Sequence, residues 1–142
     1  MTKLRALVIW VILTVACATS TTGKTSTNYW EPLINAIAKV ESGGNPKAFN
    51  KNGNCAGYLQ ITPVVVKDCN QILKRKKVNK KYTLKDRFDK QKSIEMFVIY
   101  QNAHNPSGNI EKAIRIWNGG PNYSVKATNK YYKKVMKHYK GG

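Results

Sequence analysis

Apolar side chains recur at a helical interval along most of this chain, and the interval breaks where glycine, proline and asparagine cluster. Trp30, Leu33, Ile34, Ile37 and Ala38 share one face of a helix predicted over residues 28–41. Asn28 and Glu31 form a capping-box pattern, and Pro32 then falls in the first turn, where it is tolerated. Ser42-Gly43-Gly44-Asn45-Pro46 ends that helix, with glycine just past it and proline beyond. Residues 47–60 are polar and glycine-containing. Asn52-Gly53 predicts a tight hairpin turn there, within a small two- or three-stranded β element. Thr62-Pro63 opens a second helix with Val65, Cys69, Ile72 and Leu73 on one face, although Val64-Val65-Val66 would also suit a strand. Residues 74–81 are basic and read as a solvated loop. Three further helices are predicted: 89–104 around Ile94, Phe97, Val98 and Gln101; 109–117 around Ile110, Ala113, Ile114 and Trp117; and 124–139 around Thr128, Tyr132, Val135 and Tyr139. The fold class is α+β, mainly α: about five helices with a small β-hairpin after the first.

The beginning of the chain has a different pattern. Lys3 and Arg5 precede an uncharged run over residues 6–18 that ends in Ala16-Cys17-Ala18, and a Ser/Thr-rich stretch follows. Residues 1–18 therefore read as a secretory signal peptide, 19–28 as a linker and 29–142 as one domain. The apolar run is shorter than the roughly 20 residues of a membrane span, so no span is expected in the mature chain. A lipid-modified Cys17 is the competing reading, but Thr14 holds the position three residues before it, where leucine is usual. The expected location is periplasmic or extracellular.

Charge and cysteines refine this picture. The formal net charge of the 142-residue chain is +18, and loss of Lys3 and Arg5 would lower it by only two. Such a field draws a protein toward polyanions, and export favours wall polymers or membrane surfaces over nucleic acid, for which no motif is present. Cys55 and Cys69 remain after signal removal; an even count in an exported chain points to a disulfide, with two free thiols as the alternative. His104 and His138 show no metal-ligand spacing, so neither a metal nor a cofactor is expected.

Acids are scarce, and most have ordinary positions. Glu31 reads as a helix cap, Asp86 and Asp89 precede a helix, Glu111 lies in a first turn, and Asp68 and Glu95 are exposed helix positions. Glu41 differs. It lies four residues after Ile37, so it continues the apolar stripe of its helix, and it sits at the helix C-terminus, where the dipole disfavours a carboxylate. Burial and dipole both raise its pKa. That suits a general acid, and it equally suits a buried glutamate satisfied by hydrogen bonds.

Four motifs then carry a resemblance. Glu41-Ser42-Gly43-Gly44-Asn45-Pro46-Lys47-Ala48, Gly57-Tyr58-Leu59-Gln60-Ile61-Thr62-Pro63, Ala113-Ile114-Arg115-Ile116-Trp117-Asn118-Gly119-Gly120-Pro121 and Thr128-Asn129-Lys130-Tyr131-Tyr132 stand in the order of the motifs of the soluble lytic transglycosylases. The chain resembles that family, which implies a lysozyme-like fold. The resemblance further implies Glu41 as catalytic acid and base, with Ser42, Tyr58, Gln60, Trp117, Asn118 and Tyr131 as substrate-binding positions. Trp117 replaces a usual tyrosine, Tyr58 a small apolar residue, and Ala127 an acid found in many members. The implied reaction splits the β-1,4 bond between N-acetylmuramic acid and N-acetylglucosamine and closes a 1,6-anhydro ring. A muramidase with the same cleft is the alternative outcome, and a non-catalytic wall- or nucleic-acid-binding module the alternative class. The implied partner is the peptidoglycan strand, met by a monomer, with a trans-envelope machine or phage assembly as the setting.

Overall fold

The computed structural model describes residues 24–140. The predicted signal peptide and the start of the linker lie outside the described residues. Five α-helices and one two-stranded hairpin form a mainly helical lysozyme-like domain: α1 Lys24–Ser42, β1 Phe49–Asn50, β2 Cys55–Ala56, α2 Pro63–Arg75, α3 Lys90–His104, α4 Ile110–Gly119 and α5 Val125–Met136. None of these helices is long and apolar enough to cross a membrane.

The first helix starts earlier than its capping pattern predicts. Pro32 lies well inside α1, not in its first turn, and Glu31 is an exposed mid-helix residue, not part of a cap. A mid-helix proline forfeits one backbone bond and crowds the carbonyl four residues back. The apolar stripe that follows offsets this: Trp30, Leu33, Ile34 and Ile37 are all buried. The other helix starts agree with their caps. Thr62, Asp89, Asn109 and Ser124 each accept a backbone N–H from the first turn of α2, α3, α4 and α5.

The hairpin pairs Phe49 with Ala56 and Asn50 with Cys55, so its loop spans the four residues 51–54. The left-handed residue is Asn54, at φ 47°, and not Gly53, so Asn52-Gly53 is not a two-residue turn. Ala56 also bridges Ile61, which gives the element its third, minimal member. A 3-10 helix over Leu84–Phe88, absent from the hydrophobic pattern, is started by Thr83 and Asp86, each bonded to the other's segment.

Arg87 in this 3-10 helix is buried and holds the β region together. Its guanidinium donates to the carbonyls of Asn54 at 2.7 Å, Ile61 at 3.1 Å and Leu84 at 2.9 Å. Its own carbonyl accepts from Ser93 Oγ at 2.9 Å and packs so closely on Gly57 that a Cβ there would lie 1.6 Å away. Gly57 is therefore required by close approach as well as by its φ of 80°. Arg115 does the equivalent work between α4 and α5: it pairs with Glu111 at 2.7 Å and donates to Thr128 Oγ1 and Val125 O, both at 3.0 Å. The core between these two anchors holds Leu33, Ile37, Leu59, Phe97, Ile114 and Val135, all fully buried.

The expected disulfide is not formed. Cys55 and Cys69 are free thiols. Cys69 lies on the apolar face of α2 and turns into the core, where its Sγ donates to Met96 O at 3.4 Å; Cys55 sits on β2 with its Sγ toward Gly53 O. The helical phase of Cys69 decides this outcome, and the even cysteine count does not.

Candidate active site

The C-terminal turn of α1 carries Glu41, and α5 crosses close to it. Tyr131 Oη donates to Glu41 Oε1 at 2.6 Å, across a sequence separation of 90 residues. Burial pushes the Glu41 pKa above its ordinary value, and the Tyr131 hydrogen bond offsets part of that rise. No lysine or arginine among the described residues forms an ion pair with it. Tyr131 is pushed up in turn, first by burial and then by the Glu41 charge, so its hydroxyl stays protonated. The helix ends directly after the acid. Gly43 takes φ 64°, and the Gly44 N–H turns back to Ala38 O at 3.1 Å.

Glu41 and Asn118 belong to two cavities at once, so a continuous cleft passes the acid. One cavity, of about 290 Å³, lies toward the β region and α2 and includes Cys55, Gln60, Val65, Tyr100 and Trp117. The other, of about 410 Å³, lies toward α5 and includes Val40, Ala127, Lys130, Tyr131 and Lys134. Glu41 is the sole carboxylate among the described residues that line either cavity. Asp68 is bonded to His104 at 2.8 Å and lines neither.

Gln60, Trp117, Asn118 and Tyr131 thus gather around Glu41, while two expected residues do not reach the cleft in the same way. Gln60 takes a left-handed backbone at φ 51°, and its amide nitrogen donates to Ala48 O and Gly57 O, which fixes the lip of the cleft. Trp117 packs its ring 4.9 Å from Phe97 and 6.0 Å from Tyr100, so it is both core and cleft wall. Ser42 works as a clamp: its hydroxyl donates to Tyr58 O at 2.7 Å and accepts from the Gly44 N–H at 3.2 Å, tying the end of α1 to the 57–60 turn. Tyr58 is buried behind that turn. Its hydroxyl donates to Asn35 Oδ1 at 3.1 Å and Lys90 lies over its ring, so its side chain lines neither cavity of the cleft. A motif position fixes backbone location but not the side of the chain on which a side chain emerges.

Some cleft residues have no counterpart in the sequence expectations. Cys55 faces the cleft as a neutral thiol, its pKa raised first by burial and then by the Glu41 charge. Tyr100 stands beside Trp117, its pKa pushed up to about 12, chiefly by burial. Lys130 and Lys134 had a readable signal: Ala127, Lys130, Tyr131 and Lys134 follow the i, i+3, i+4, i+7 spacing of one helix face. Placing Tyr131 at the acid places both lysines there too.

A larger cavity, of about 700 Å³, lies on the other side of α2, between Pro63, Val66, Lys74, Val78 and Leu84. No carboxylate among the described residues lines it. No group of three or more His, Cys, Asp or Glu among the described residues is placed to hold a metal ion.

The family model of the transglycosylase SLT domain matches residues 19–140, nearly the whole chain. The protein belongs to the SLT transglycosylase family, whose members are glycan-cleaving enzymes of the lytic transglycosylase type with peptidoglycan as substrate. No curated protein and no solved structure matches the chain.

Proposed function

We propose that this protein is an exported lytic transglycosylase that cleaves the β-1,4 bond between N-acetylmuramic acid and N-acetylglucosamine, with Glu41 as acid and then base. The observation that carries this reading is a part-buried carboxylate, raised in pKa and hydrogen-bonded by Tyr131, as the sole acid among the described residues that line the cleft. Protonated Glu41 gives its proton to the glycosidic oxygen, and the bond to the muramoyl C1 breaks as the N-acetylglucosamine leaves with a new hydroxyl. The resulting carboxylate then takes the proton of the muramoyl 6-hydroxyl while O6 bonds to C1. Glu41 ends protonated, and no water is consumed. Tyr131 supports both steps, because its hydroxyl donates to the acid and strengthens that bond when the carboxylate is charged. A hydrolase working by two flanking carboxylates would need a second acid in the cleft.

The basic surface adds a field that concentrates the enzyme on an acidic wall, and its attraction weakens as salt rises. Wall association that is indifferent to salt would remove this part of the reading. The chemistry is tested by digesting purified peptidoglycan with the wild type and with Glu41→Gln. Soluble muropeptides one water lighter than hydrolysis products, present only with the wild type, are the expected result. Reducing-end products would make the enzyme a muramidase, and no release by the wild type from walls of several chemotypes would make the protein a binding module.

A further inference from the structure

The cleft is asymmetric in charge. Toward α2 its lining is aromatic, aliphatic and neutral polar, with no cation. Toward α5 two lysines, Lys130 and Lys134, line the cavity that contains Glu41. The chain has 25 Lys and Arg, so a surface lysine means little by itself. These two differ by position. They stand one helical turn apart on the face that carries Tyr131, they open into the cavity of the acid, and neither forms an ion pair among the described residues. Ala127, one turn before Tyr131, leaves that cavity without an opposing carboxylate on α5. The lysines do not serve to ionise the acid, since burial dominates the Glu41 shift and Tyr131 is the group that opposes it.

We propose that Lys130 and Lys134 form a carboxylate-binding site beside the catalytic acid, which takes the anionic substituent on the muramoyl sugar next to the bond being cleaved. The inference rests on the glycan-cleaving reading of Glu41. The sugar rings themselves are neutral. Anionic charge on a peptidoglycan strand comes from carboxylates of the stem peptide or, where the peptide has been removed, from the lactyl carboxylate of the muramoyl group. An ammonium on a flexible stem tolerates either geometry and rewards charge more than shape. The site therefore sets the register of the strand: the charged substituent falls toward α5, and the neutral part of the strand falls against Trp117 and Tyr100.

The test compares the wild type with Lys130→Met/Lys134→Met and with the paired Lys→Arg variant. Three glycan strands serve as substrates: one with free stem carboxylates, one with the same stems amidated, and one stripped of peptide by an amidase. For two exposed charge pairs, KM of the Met variant should rise roughly 3- to 10-fold with kcat unchanged. The arginine pair should restore it, and added salt should erase the difference. A rise confined to free stems identifies the peptide carboxylate, and a rise confined to stripped strands identifies the lactyl carboxylate; both support the site. An equal rise on amidated and free stems, or no rise on any strand, overturns it. Binding of the same strands to Glu41→Gln, with and without the lysines, separates the two readings. Charge-dependent binding without anhydro products from the wild type would sink the catalytic assignment, whereas anhydro products with lysine-independent binding would sink the carboxylate site.

Discussion

Two glutamates in this protein accept a hydrogen bond from a tyrosine, and their acidities move in opposite directions. Glu41 receives Tyr131 at 2.6 Å, and Glu95 receives Tyr82 at 2.8 Å. For both, burial acts to raise the pKa. At Glu95 that push is outweighed by the Lys80 ammonium, 2.7 Å away, together with the Tyr82 hydroxyl, and the pKa falls below its ordinary value. At Glu41 no cation forms an ion pair with the carboxylate, although Lys130 and Lys134 line its cavity; burial is deeper, and the pKa rises. A tyrosine partner alone does not make a carboxylate a general acid. The partner holds the carboxylate in place, and the balance of burial against nearby positive charge decides whether the proton is retained.

This contrast is open to direct attack. Glu41→Gln should lower muropeptide release by about 10³-fold, the scale of a lost general acid and base, while Glu95→Gln should stay within about twofold of the wild type. Equal losses would show that Glu41 is not special. A cation can also be given to Glu41. Lys130 and Lys134 line the Glu41 cavity without pairing with the acid, whereas an ammonium from Ala127→Lys that does pair should stabilise the carboxylate, move the alkaline limb of the pH–rate profile down by about one unit and cost roughly tenfold in rate above that limb. An unmoved limb would mean that charge in this cavity does not reach the acid.

Tyr131→Phe should move the limb the other way. The lost hydrogen bond was holding the Glu41 pKa down, so the limb shifts upward while turnover falls by about tenfold through poorer placement of the acid. A downward shift in the pH–rate profile would contradict the assigned cause. The same acid should leave a mark on stability. Folded Glu41 binds its proton more tightly than unfolded glutamate, whose pKa is 4.5. Its contribution is therefore fully present below about pH 4.5 and is lost as pH rises through the higher folded pKa. Thermal melts should show Glu41→Gln gaining on the wild type as pH rises through that window, with no gain at acid pH. Lys80→Met makes the smallest change. It removes a partly exposed pair, with a cost of about 0–1 kcal/mol in denaturant unfolding and none in catalysis.

Much of this was legible in the sequence, for identifiable reasons. Helix caps are local, so Thr62, Asp89, Asn109 and Ser124 could be read directly. Glu41 could be singled out because its phase continues the stripe of Ile37. Side-chain direction in turns was not legible, which is why Tyr58 was expected in the cleft and is found behind it on Asn35. Nor was the work of Arg87, whose partners at Asn54 and Ile61 are 33 and 26 residues away and are backbone carbonyls that carry no residue-type signal. The disulfide expectation counted cysteines without weighing the phase of Cys69, and the capping pattern at Asn28 gave a start to a helix that runs through it. The pairing of Glu41 with Tyr131 had no local signal, since no local pattern links positions 90 apart.

That separation bears on when the enzyme becomes competent during its own biogenesis. The acid is synthesised 90 residues before the tyrosine, so a nascent chain that still lacks Tyr131 has Glu41 without its hydrogen-bond partner. Only when α5 docks on α1 is the carboxylate bonded to Tyr131 and shielded on that side, and that contact carries the entropy cost of closing a long loop. A glycan-cleaving enzyme built this way completes the surroundings of its candidate acid only after α5 has been made.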